Sequence, residues 1–338
     1  MIKMKRSIAL FLIAALIAPI IVFGISAQGK VVAIDITPGR VKDLDTEWGQ
    51  KNLKWLEGNL TAAGFQVKEI TEITPEALQG VDALIIGKLY DYNSVFSDAE
   101  IQAIKNWFLE GGKFIWVGAD SDYTEPYLNP DDISFKADEP NKILAAIGSS
   151  LRLEYASLED PTTNIGAGYR VKSHEANTAG FAGQITKDAP VVLFHGPTFV
   201  IGFKNGQFVP FSEVEGPNVV WLYRSSPDGT VVSHDGVDPK VHSVGETGQF
   251  VEAAAEIIDL GLFKPKGKVI VTGESLLGDR FIGTPEYHGE KLQGMTFIIN
   301  AFIWGTTVEG PAISMTMLIA IVVIIIIVIV ALVFLRKK

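Results

Sequence analysis

The chain has 338 residues, with 39 Asp and Glu against 29 Lys and Arg, and it contains no cysteine. The formal net charge of −10 argues against binding to nucleic acid or to anionic lipid headgroups. Without cysteine, disulfides, thiol nucleophiles and zinc–thiolate sites are excluded.

The N-terminal residues have the layout of a secretory signal. Lys3, Lys5 and Arg6 precede an apolar run, Ile8–Phe23, which ends in small residues. A basic start, an apolar core and a small-residue cleavage site define such signals, so we expect a signal peptide over residues 1–27. An uncleaved anchor is the alternative, because the apolar run is long for a signal peptide.

The next residues predict an α/β domain. Near-continuous apolar runs at Val31–Ile36, Ala83–Ile86 and Phe114–Val117 are typical of parallel strands buried on both faces. Two helical patterns separate these runs. The first ends at Gly64, and the second begins with the capping box Ser97–Glu100. We therefore expect a three-layer domain with these three strands parallel and central.

The second half of this domain predicts a β-rich extension followed by a return to mixed elements. A short helix is expected first, then short strands separated by Gly, Pro and Asn, and then a renewed helix-and-strand pattern. In chain order these segments are Asn141–Ile147, Val191–Phe194, Phe199–Phe203, Val219–Tyr223, Phe250–Leu260, Lys268–Thr272 and Met295–Trp304.

The C-terminal residues predict one transmembrane helix. No charged side chain occurs between Gly310 and Leu335, and residues 313–335 are almost continuously Ile, Val, Leu, Ala and Met. At about 1.5 Å of rise per residue, this run covers the roughly 30 Å hydrocarbon core of a bilayer. Residues 336–338 form a basic tail, which the positive-inside rule assigns to the cytoplasm.

These ends predict the topology of the whole chain. We expect an exported domain at residues 28–305, a juxtamembrane connection at 306–312, and a single-pass type I protein of the cell membrane. A two-anchor hairpin results if the signal is not cleaved. Six of the basic residues lie in the hydrophobic ends, so 23 Lys and Arg face 39 acids in the exported part, a net charge of −16.

Three stretches of sequence resemble a known family. They read VDALIIGKLYDYNSVFSDAEIQAIKNWFLEGGKFIWVGADSD, KGKVIVTGESLLGD and LQGMTFIINAFIWG. Together they resemble the class I glutamine-amidotransferase-like domain over roughly residues 30–305. The resemblance is to its non-enzymatic branch, which includes auxiliary proteins of gliding-motility ABC transporters, intraflagellar-transport subunits and a non-catalytic subunit of oligosaccharyltransferase. It implies a three-layer flavodoxin/amidotransferase-like parallel sheet.

The chain departs from the catalytic members of that family at both functional positions. Active amidotransferases carry Cys on the turn after the strand that corresponds to Phe114–Val117, where this chain has Gly118-Ala119-Asp120-Ser121. They also carry a His-x-Glu pair near the end, whereas here Gly273-Glu274-Ser275 stands alone. The catalytic triad cannot be carried over, so we expect no enzyme activity and no cofactor.

The resemblance and the topology together predict a non-enzymatic, membrane-anchored, extracytoplasmic subunit of a membrane complex. The most specific expectation is an accessory subunit of an oligosaccharyltransferase, acting in protein N-glycosylation beside a glycosyltransferase catalytic subunit. The alternative is an accessory or ligand-binding subunit of an ABC-type transporter, whose partner would be the permease. In either case the partners are integral membrane proteins.

A third hypothesis is an exported hydrolase that uses Ser121 or an acidic metal site. Gly-Ala-Asp-Ser-Asp is not a nucleophile-elbow motif, and the charges of Asp120 and Asp122 oppose formation of an alkoxide. Asp120, Asp122 and Glu125 crowd one loop together with two later aspartates, a composition that suits Ca²⁺ or Mg²⁺. The spacing lacks the EF-hand Gly and Glu, so solvated surface charge explains it better and no metal is expected.

A ligand site is the remaining possibility. In open α/β sheets ligands bind beyond the carboxyl ends of the strands. Arg40 and Tyr90 lie at such positions and have side chains suited to a sugar or an anionic group. The candidate ligand-binding residues at these strand ends are Arg40, Tyr90, Asp91, Asp120, Ser121, Glu274 and Ser275.

Overall fold

The computed structural model describes residues 29–40, 42–87, 95–123, 135–234, 236–278, 280–309, 323–325 and 327. Its helices are α1 (Glu47–Ala62), α2 (Asp98–Phe108), α3 (Phe135–Ala146), the single turn α4 (Ala182–Ile185) and α5 (Gly294–Thr306), with 3-10 turns at Lys42–Asp45 and Phe211–Glu213. Its strands are β1 (Val31–Asp35), β2 (Gln66–Ile70), β3 (Ala83–Ile86), β4 (Phe114–Gly118), β5 (Leu151–Leu153), β6 (Ser157–Glu159), β7 (Arg170–Lys172), β8 (Glu175–Ala176), β9 (Leu193–His195), β10 (Val200–Lys204), β11 (Gln207–Val209), β12 (Val219–Arg224), β13 (Gly229–Val232), β14 (Thr247–Gly248), β15 (Val251–Ile258), β16 (Gly267–Thr272), β17 (Glu286–Tyr287) and β18 (Glu290–Lys291).

One half of the main sheet is parallel. Its strands lie in the order β2-β1-β3-β4-β16, and each neighbouring pair is parallel. The prediction of three central parallel strands is confirmed, because β1, β3 and β4 lie between β2 and β16. Nearly every side chain of these three strands is fully buried, which explains why their sequences are continuously apolar.

The other half of the main sheet is antiparallel and contains the predicted β-rich extension. β15 pairs antiparallel with β16 and also with β10 and β12. β5 and β11 then pair with β10, and β8 pairs with β12. The β14–β13–β6 sheet and the β7–β9 and β17–β18 pairs lie outside this main sheet. The chain therefore has a mixed α/β fold with a largely parallel central sheet.

Helices cover both faces of the parallel half. Side chains of α1 and α5 join one buried apolar cluster, and side chains of α2 and α3 join the other. The predicted capping box is present, since Glu100 N donates to Ser97 Oγ over 3.3 Å and Ser97 N donates to Glu100 Oε2 over 2.8 Å.

Two predicted elements differ from the structure. The segment Phe250–Leu260, which opens the returning helix-and-strand pattern, contains the strand β15, because strands on both sides satisfy its backbone groups. The helix expected over Asn141–Ile147 begins earlier, at Phe135. Pro140 removes one backbone donor there and does not end the helix.

The residues that follow α5, up to Glu309, lie beside the starts of β4 and β16. Helix α5 packs its Phe302 ring edge-on to Phe114 at 5.1 Å and stacked on Trp116 at 6.0 Å. Lys268 Nζ then donates to the carbonyls of Trp304 and Thr307, each over 2.9 Å. This ammonium fixes the end of α5 against β16.

The predicted hydrophobic ends stay untested. Among the residues that the structure describes, no helix combines the length and the apolar character needed to cross a bilayer. The signal peptide predicted at 1–27 lies outside those residues, and so does nearly all of the segment predicted to span the membrane at 313–335.

Candidate functional site

The turn after β4 lies against two other loops at the carboxyl edge of the parallel sheet. A Cβ added to Gly118 would lie 2.8 Å from Cα of Ser275, so this turn contacts the turn after β16 at backbone distance. Ser121 N donates to Gly196 O over 3.0 Å, which joins the same turn to the β9–β10 loop. The fold thus brings the segments of Asp120, Ser121, Glu274 and Ser275 together, as expected for strand ends of one parallel sheet.

The polar groups of these turns are used to hold the turns in place. Ser121 is buried, and its Oγ accepts from the amide of Tyr123 over 3.2 Å. Ser275 is fully buried, and its Oγ accepts from the amide of Leu277 over 2.9 Å. Glu274 is also buried, and its carbonyl accepts from Thr272 Oγ1 over 2.7 Å. Such side-chain-to-backbone bonds are typical of structural turns.

Asp122, a candidate metal ligand, is bonded within the protein. Its Oδ1 accepts from Ser157 Oγ, and its Oδ2 accepts from the amide of His234 over 2.7 Å. The described residues contain no cluster of three or more Asp, Glu or His side chains placed to hold a metal ion. Glu125, the third weak candidate, lies outside the described residues, and so do the ligand candidates Tyr90 and Asp91.

Arg40 is buried and bound by protein groups. Its Nη1 donates to Asp35 Oδ2 over 2.7 Å, its Nη2 bonds Glu100, and its guanidinium carbon lies 4.1 Å from the ring centre of Phe96. Burial of Glu100 opposes ionisation, but the bonds from Arg40 and Ser97 outweigh it and lower the pKa of Glu100. These contacts fix the loop after β1 to the start of α2.

A second group of side chains near Asp120 was not predicted from the sequence. The ring of His195 lies 5.5 Å from that of Tyr169 and 5.6 Å from that of Tyr287. The guanidinium of Arg170 lies 5.1 Å from the Tyr169 ring and 5.6 Å from the Tyr287 ring. Together with Arg280, these side chains are here named the His195 cluster.

Two positive charges, those of Arg170 and Arg280, act on the His195 imidazole. The pKa of His195 is lowered to about 4, first by burial and then by the charges of Arg280 and Arg170, while the charge of Asp120 acts in the opposite direction. The imidazole is therefore neutral at physiological pH and able to accept a proton or a hydrogen bond. No hydrogen bond between described groups joins His195 to Ser121, so the pair has no Ser–His arrangement for nucleophilic catalysis.

A cavity of about 870 Å³ adjoins this cluster and is here named the tryptophan pocket. One wall is α1, from which Trp48 and Trp55 remain 64% and 46% exposed. The other wall is the segment around the β17–β18 hairpin. Its lining residues are Trp48, Lys51, Asn52, Lys54, Trp55, Arg280, Thr284, Pro285, Glu286, Tyr287 and His288.

The hairpin connects the pocket to the His195 cluster. His288 and Gly289 have φ values of 47° and 81°, which is the pair of positive angles that a two-residue type I′ turn requires. This turn holds Tyr287 with its ring toward His195 while the same residue lines the pocket. Arg280 also lines the pocket, and its charge acts on His195. The cluster and the pocket are thus one continuous region.

One sequence signal for this region was available. Trp48 and Trp55 are seven residues apart on α1, so they lie on the same helical face, and that face differs from the one carrying buried Leu53, Leu56 and Leu60. Exposed tryptophans at helical spacing are unusual on a polar face and indicate a binding surface. His195 and Arg170 carried no such signal, because the fold alone brings their strands together.

Comparison with known proteins supports the fold only. No protein-family model matches the chain, and no curated protein matches it. Among solved structures, the chain is similar to the mmIFT52 N-terminal domain with a TM-score of 0.50 and 14% identity, covering 82% of this chain and 97% of that one. It is also similar to a putative ThuA-like protein from Bacteroides uniformis with a TM-score of 0.44 and 13% identity, covering 85% and 94% of the two chains.

Proposed function

We propose that the protein is a non-catalytic extracytoplasmic module of a membrane complex, built on a three-layer flavodoxin/amidotransferase-like domain and anchored by residues 313–335. The observation that carries this proposal is the state of the turn after β4. Its Ser121 is buried, its amide is bonded to Gly196 O, and its hydroxyl accepts from Tyr123 N. A nucleophile needs an exposed side chain, and Ser121 is buried in this turn.

The position of Glu309, where the chain leaves the domain, supports attachment to a membrane. Lys266 and Lys268 each lie 3.4 Å from the carboxylate of Glu309, so the chain leaves the domain at the edge where β4 and β16 begin. The preceding loop contributes Leu262 and Phe263, which are 58% and 59% exposed. An exposed apolar pair suits the interface of a bilayer, where such side chains bury among the lipids.

The loop also lies close to the chain end. Lys264 Nζ donates to Leu109 O over 2.6 Å, and a Cβ on Gly112 would lie 3.5 Å from Pro265 and 3.6 Å from Val308. Leu262 and Phe263 therefore lie at the same edge of the domain as Val308. The tryptophan pocket belongs to the opposite, carboxyl edge of the parallel strands, where a ligand or partner can reach it.

Within this function, the specific expectation is an accessory subunit of an oligosaccharyltransferase. A ligand-binding subunit of an ABC-type transporter is the second candidate, and the open tryptophan pocket is the observation that favours it. Purification of the full-length protein in mild detergent, followed by mass spectrometry of the co-purifying proteins, distinguishes them. A glycosyltransferase catalytic subunit supports the first, and a permease with its ATPase supports the second. Failure to retain any integral membrane protein would contradict both.

The non-catalytic part of the proposal has its own test. We expect the purified protein to show no turnover of ester, amide or glycoside substrates above the uncatalysed rate. Activity that is lost on Ser121→Ala, with the melting temperature unchanged, would support the hydrolase hypothesis instead. Asp120→Asn is the companion variant, because its charge lies in the same turn.

A further inference from the structure

We propose that the tryptophan pocket and the His195 cluster form one binding site for a small organic oxyanion that carries an apolar or aromatic ring. The oxyanion, a carboxylate or a phosphate ester, would contact the two arginines, and the ring would lie against the tryptophans of α1. This inference deepens the ligand-binding candidate above, and its binding test is independent of which membrane protein the chain accompanies.

The first support is a cation, Arg170, that forms no ion pair with an acidic side chain in the described part of the chain. Arg170 Nε is buried and has no hydrogen-bond partner among the described residues. Its guanidinium instead lies between the rings of Tyr169 and Tyr287. A buried guanidinium donor without an acceptor is costly, and a carboxylate or phosphate supplies acceptors with matching fork geometry. The structure thus presents a donor for which a bound anion is the natural acceptor.

The second support is a local charge that opposes the charge of the domain. The exported part carries a net charge of −16, yet the pocket brings Lys51 and Arg280 together with the neighbouring Arg170. Burial is the main cause of the lowered pKa of His195, and the charges of Arg280 and Arg170 lower it further. Among the described residues, the acidic groups that face the region are Glu286 in the pocket wall and Asp120 beside His195.

Not every cation of the pocket is available to a ligand. The Lys54 ammonium donates to Glu57 over 2.8 Å and to Glu69 over 2.6 Å, so its charge is already compensated. Lys51 lies with its ammonium 4.9 Å from the ring centre of Trp48, which leaves it beside the aromatic wall. The other described cations of this region, which the oxyanion would contact, are Arg170, Arg280 and Lys51.

The third support is the aromatic wall. Trp48 and Trp55 would have much of their surface in water, although burial of a tryptophan is among the largest apolar contributions to binding. A ring of the ligand that covers these side chains removes that surface from water. A volume of about 870 Å³ is large enough for a ligand of one or two rings plus its charged group.

The test is calorimetric titration of the full-length protein with phenyl phosphate, benzoate, inorganic phosphate and phenol. We expect the preferred aromatic anion, either phenyl phosphate or benzoate, to bind at least about tenfold more tightly than inorganic phosphate and also than phenol. A roughly tenfold difference in affinity corresponds to one additional good contact. Arg170→Gln and Arg280→Gln should each weaken binding of that anion by about tenfold or more. Trp48→Ala should weaken the aromatic anion and leave the affinity for inorganic phosphate unchanged.

The matched control is Arg224→Gln. Arg224 also lies over a ring, 4.1 Å from the centre of Trp221, and pairs with Glu215 at 3.6 Å outside the pocket. We expect this variant to bind like the wild type. If Arg170→Gln does not fold, Arg280→Gln still decides the matter, since Arg280 is on the exposed wall of the pocket.

A second measurement separates binding from a structural effect. NMR titration should show the His195 pKa rising in the presence of the aromatic anion, because a bound negative charge stabilises the imidazolium. No saturable binding of either aromatic anion up to about 10 mM would overturn the proposal. So would binding that neither arginine substitution weakens, or an unmoved His195 pKa. None of these results would alter the set of co-purifying membrane proteins, so the accessory-subunit proposal would stand.

Discussion

Arg40 Nη1 donates to Asp35 Oδ2 over 2.7 Å, and these two side chains are only 4% and 0% exposed. Asp35 also accepts from the amide and the hydroxyl of Thr37, over 3.1 and 2.6 Å. A buried charge that loses its partner destabilises a protein more than the pair itself stabilises it. The contacts of Arg40 therefore stabilise the loop after β1.

We expect Arg40→Met to lower the free energy of unfolding by about 3–5 kcal/mol, because Asp35 would stay buried without its counter-charge. Denaturant titration followed by circular dichroism measures this. Lys54→Met is the control. Its ammonium is 63% exposed and its ion pairs should be worth about 1 kcal/mol or less. A loss below about 1 kcal/mol for Arg40→Met would show that the buried pair is not required.

Glu252 is expected to reduce stability at neutral pH. It is fully buried, neither carboxyl oxygen has a hydrogen-bond partner among the described residues, and burial and the charge of Asp160 raise its pKa well above 4.5. Because the pKa of Glu252 is raised in the folded state, the stabilising contribution of this residue is complete below pH 4.5. That contribution is lost as the pH rises from 4.5 toward the pKa of the folded state. The loss is about 1.4 kcal/mol for each pH unit over that interval.

Glu252→Leu should therefore raise the melting temperature at pH 8 by more than at pH 5, as measured by calorimetry at both pH values. Glu154→Leu is the matched control. That carboxylate is also buried, but it accepts from the amides of Tyr155, Lys240, Val241 and His242, so its loss should destabilise the protein at both pH values. An equal change in melting temperature at the two pH values for Glu252→Leu would contradict a raised pKa of this buried carboxyl group.

Lys268 is expected to hold the end of α5. Lys268→Met removes the two bonds to the carbonyls of Trp304 and Thr307, each worth about 1.5–3 kcal/mol for a charged donor. Hydrogen exchange of residues 302–309 should accelerate strongly, while exchange in β1 and β3 stays slow. Lys264→Met removes an exposed bond to Leu109 O and should leave the exchange of α5 unchanged. Faster exchange across the whole domain would instead indicate global unfolding.

The proposed membrane span is expected to contribute to partner recognition. The connection between Gly305 and Pro311 is short, so it couples the domain closely to whatever follows. Small and hydroxylated residues at 312, 314, 316 and 320 allow close helix approach. Replacing residues 312–335 with a poly-Leu span of equal length should reduce the yield of co-purifying membrane proteins. An undiminished yield would show that the span only anchors the protein.

The parallel strands were predictable because each is buried on both faces. In Ala83–Ile86 every side chain is fully buried, so the apolar run appears in the sequence without knowledge of the fold. The capping box of α2 was equally local, since both of its bonds join residues three apart. Such features depend on neighbouring residues and are visible in any short window of sequence.

The site was less predictable because its parts are distant in the chain. The prediction correctly placed Asp120 and Ser275 at strand ends that meet, which follows from parallel topology alone. It did not find His195, whose neighbours Tyr169, Arg170 and Tyr287 come from two other segments. Nor could it show that Arg40 is bound to Glu100, sixty residues later.

The order in which the strands appear along the chain constrains when this protein can fold. β16 pairs with β4, which precedes it by about 150 residues, and the intervening β15 binds both halves of the sheet. Until residues 267–272 have been synthesised, one edge of β4 is unpaired, and the strand that links the parallel and antiparallel halves of the sheet is missing. Long-range pairing of this kind makes folding slow and late. A chain delivered through a translocation channel would thus pass in an unfolded state and close its main sheet only after β16 arrives. The exposed β4 edge would need protection until then.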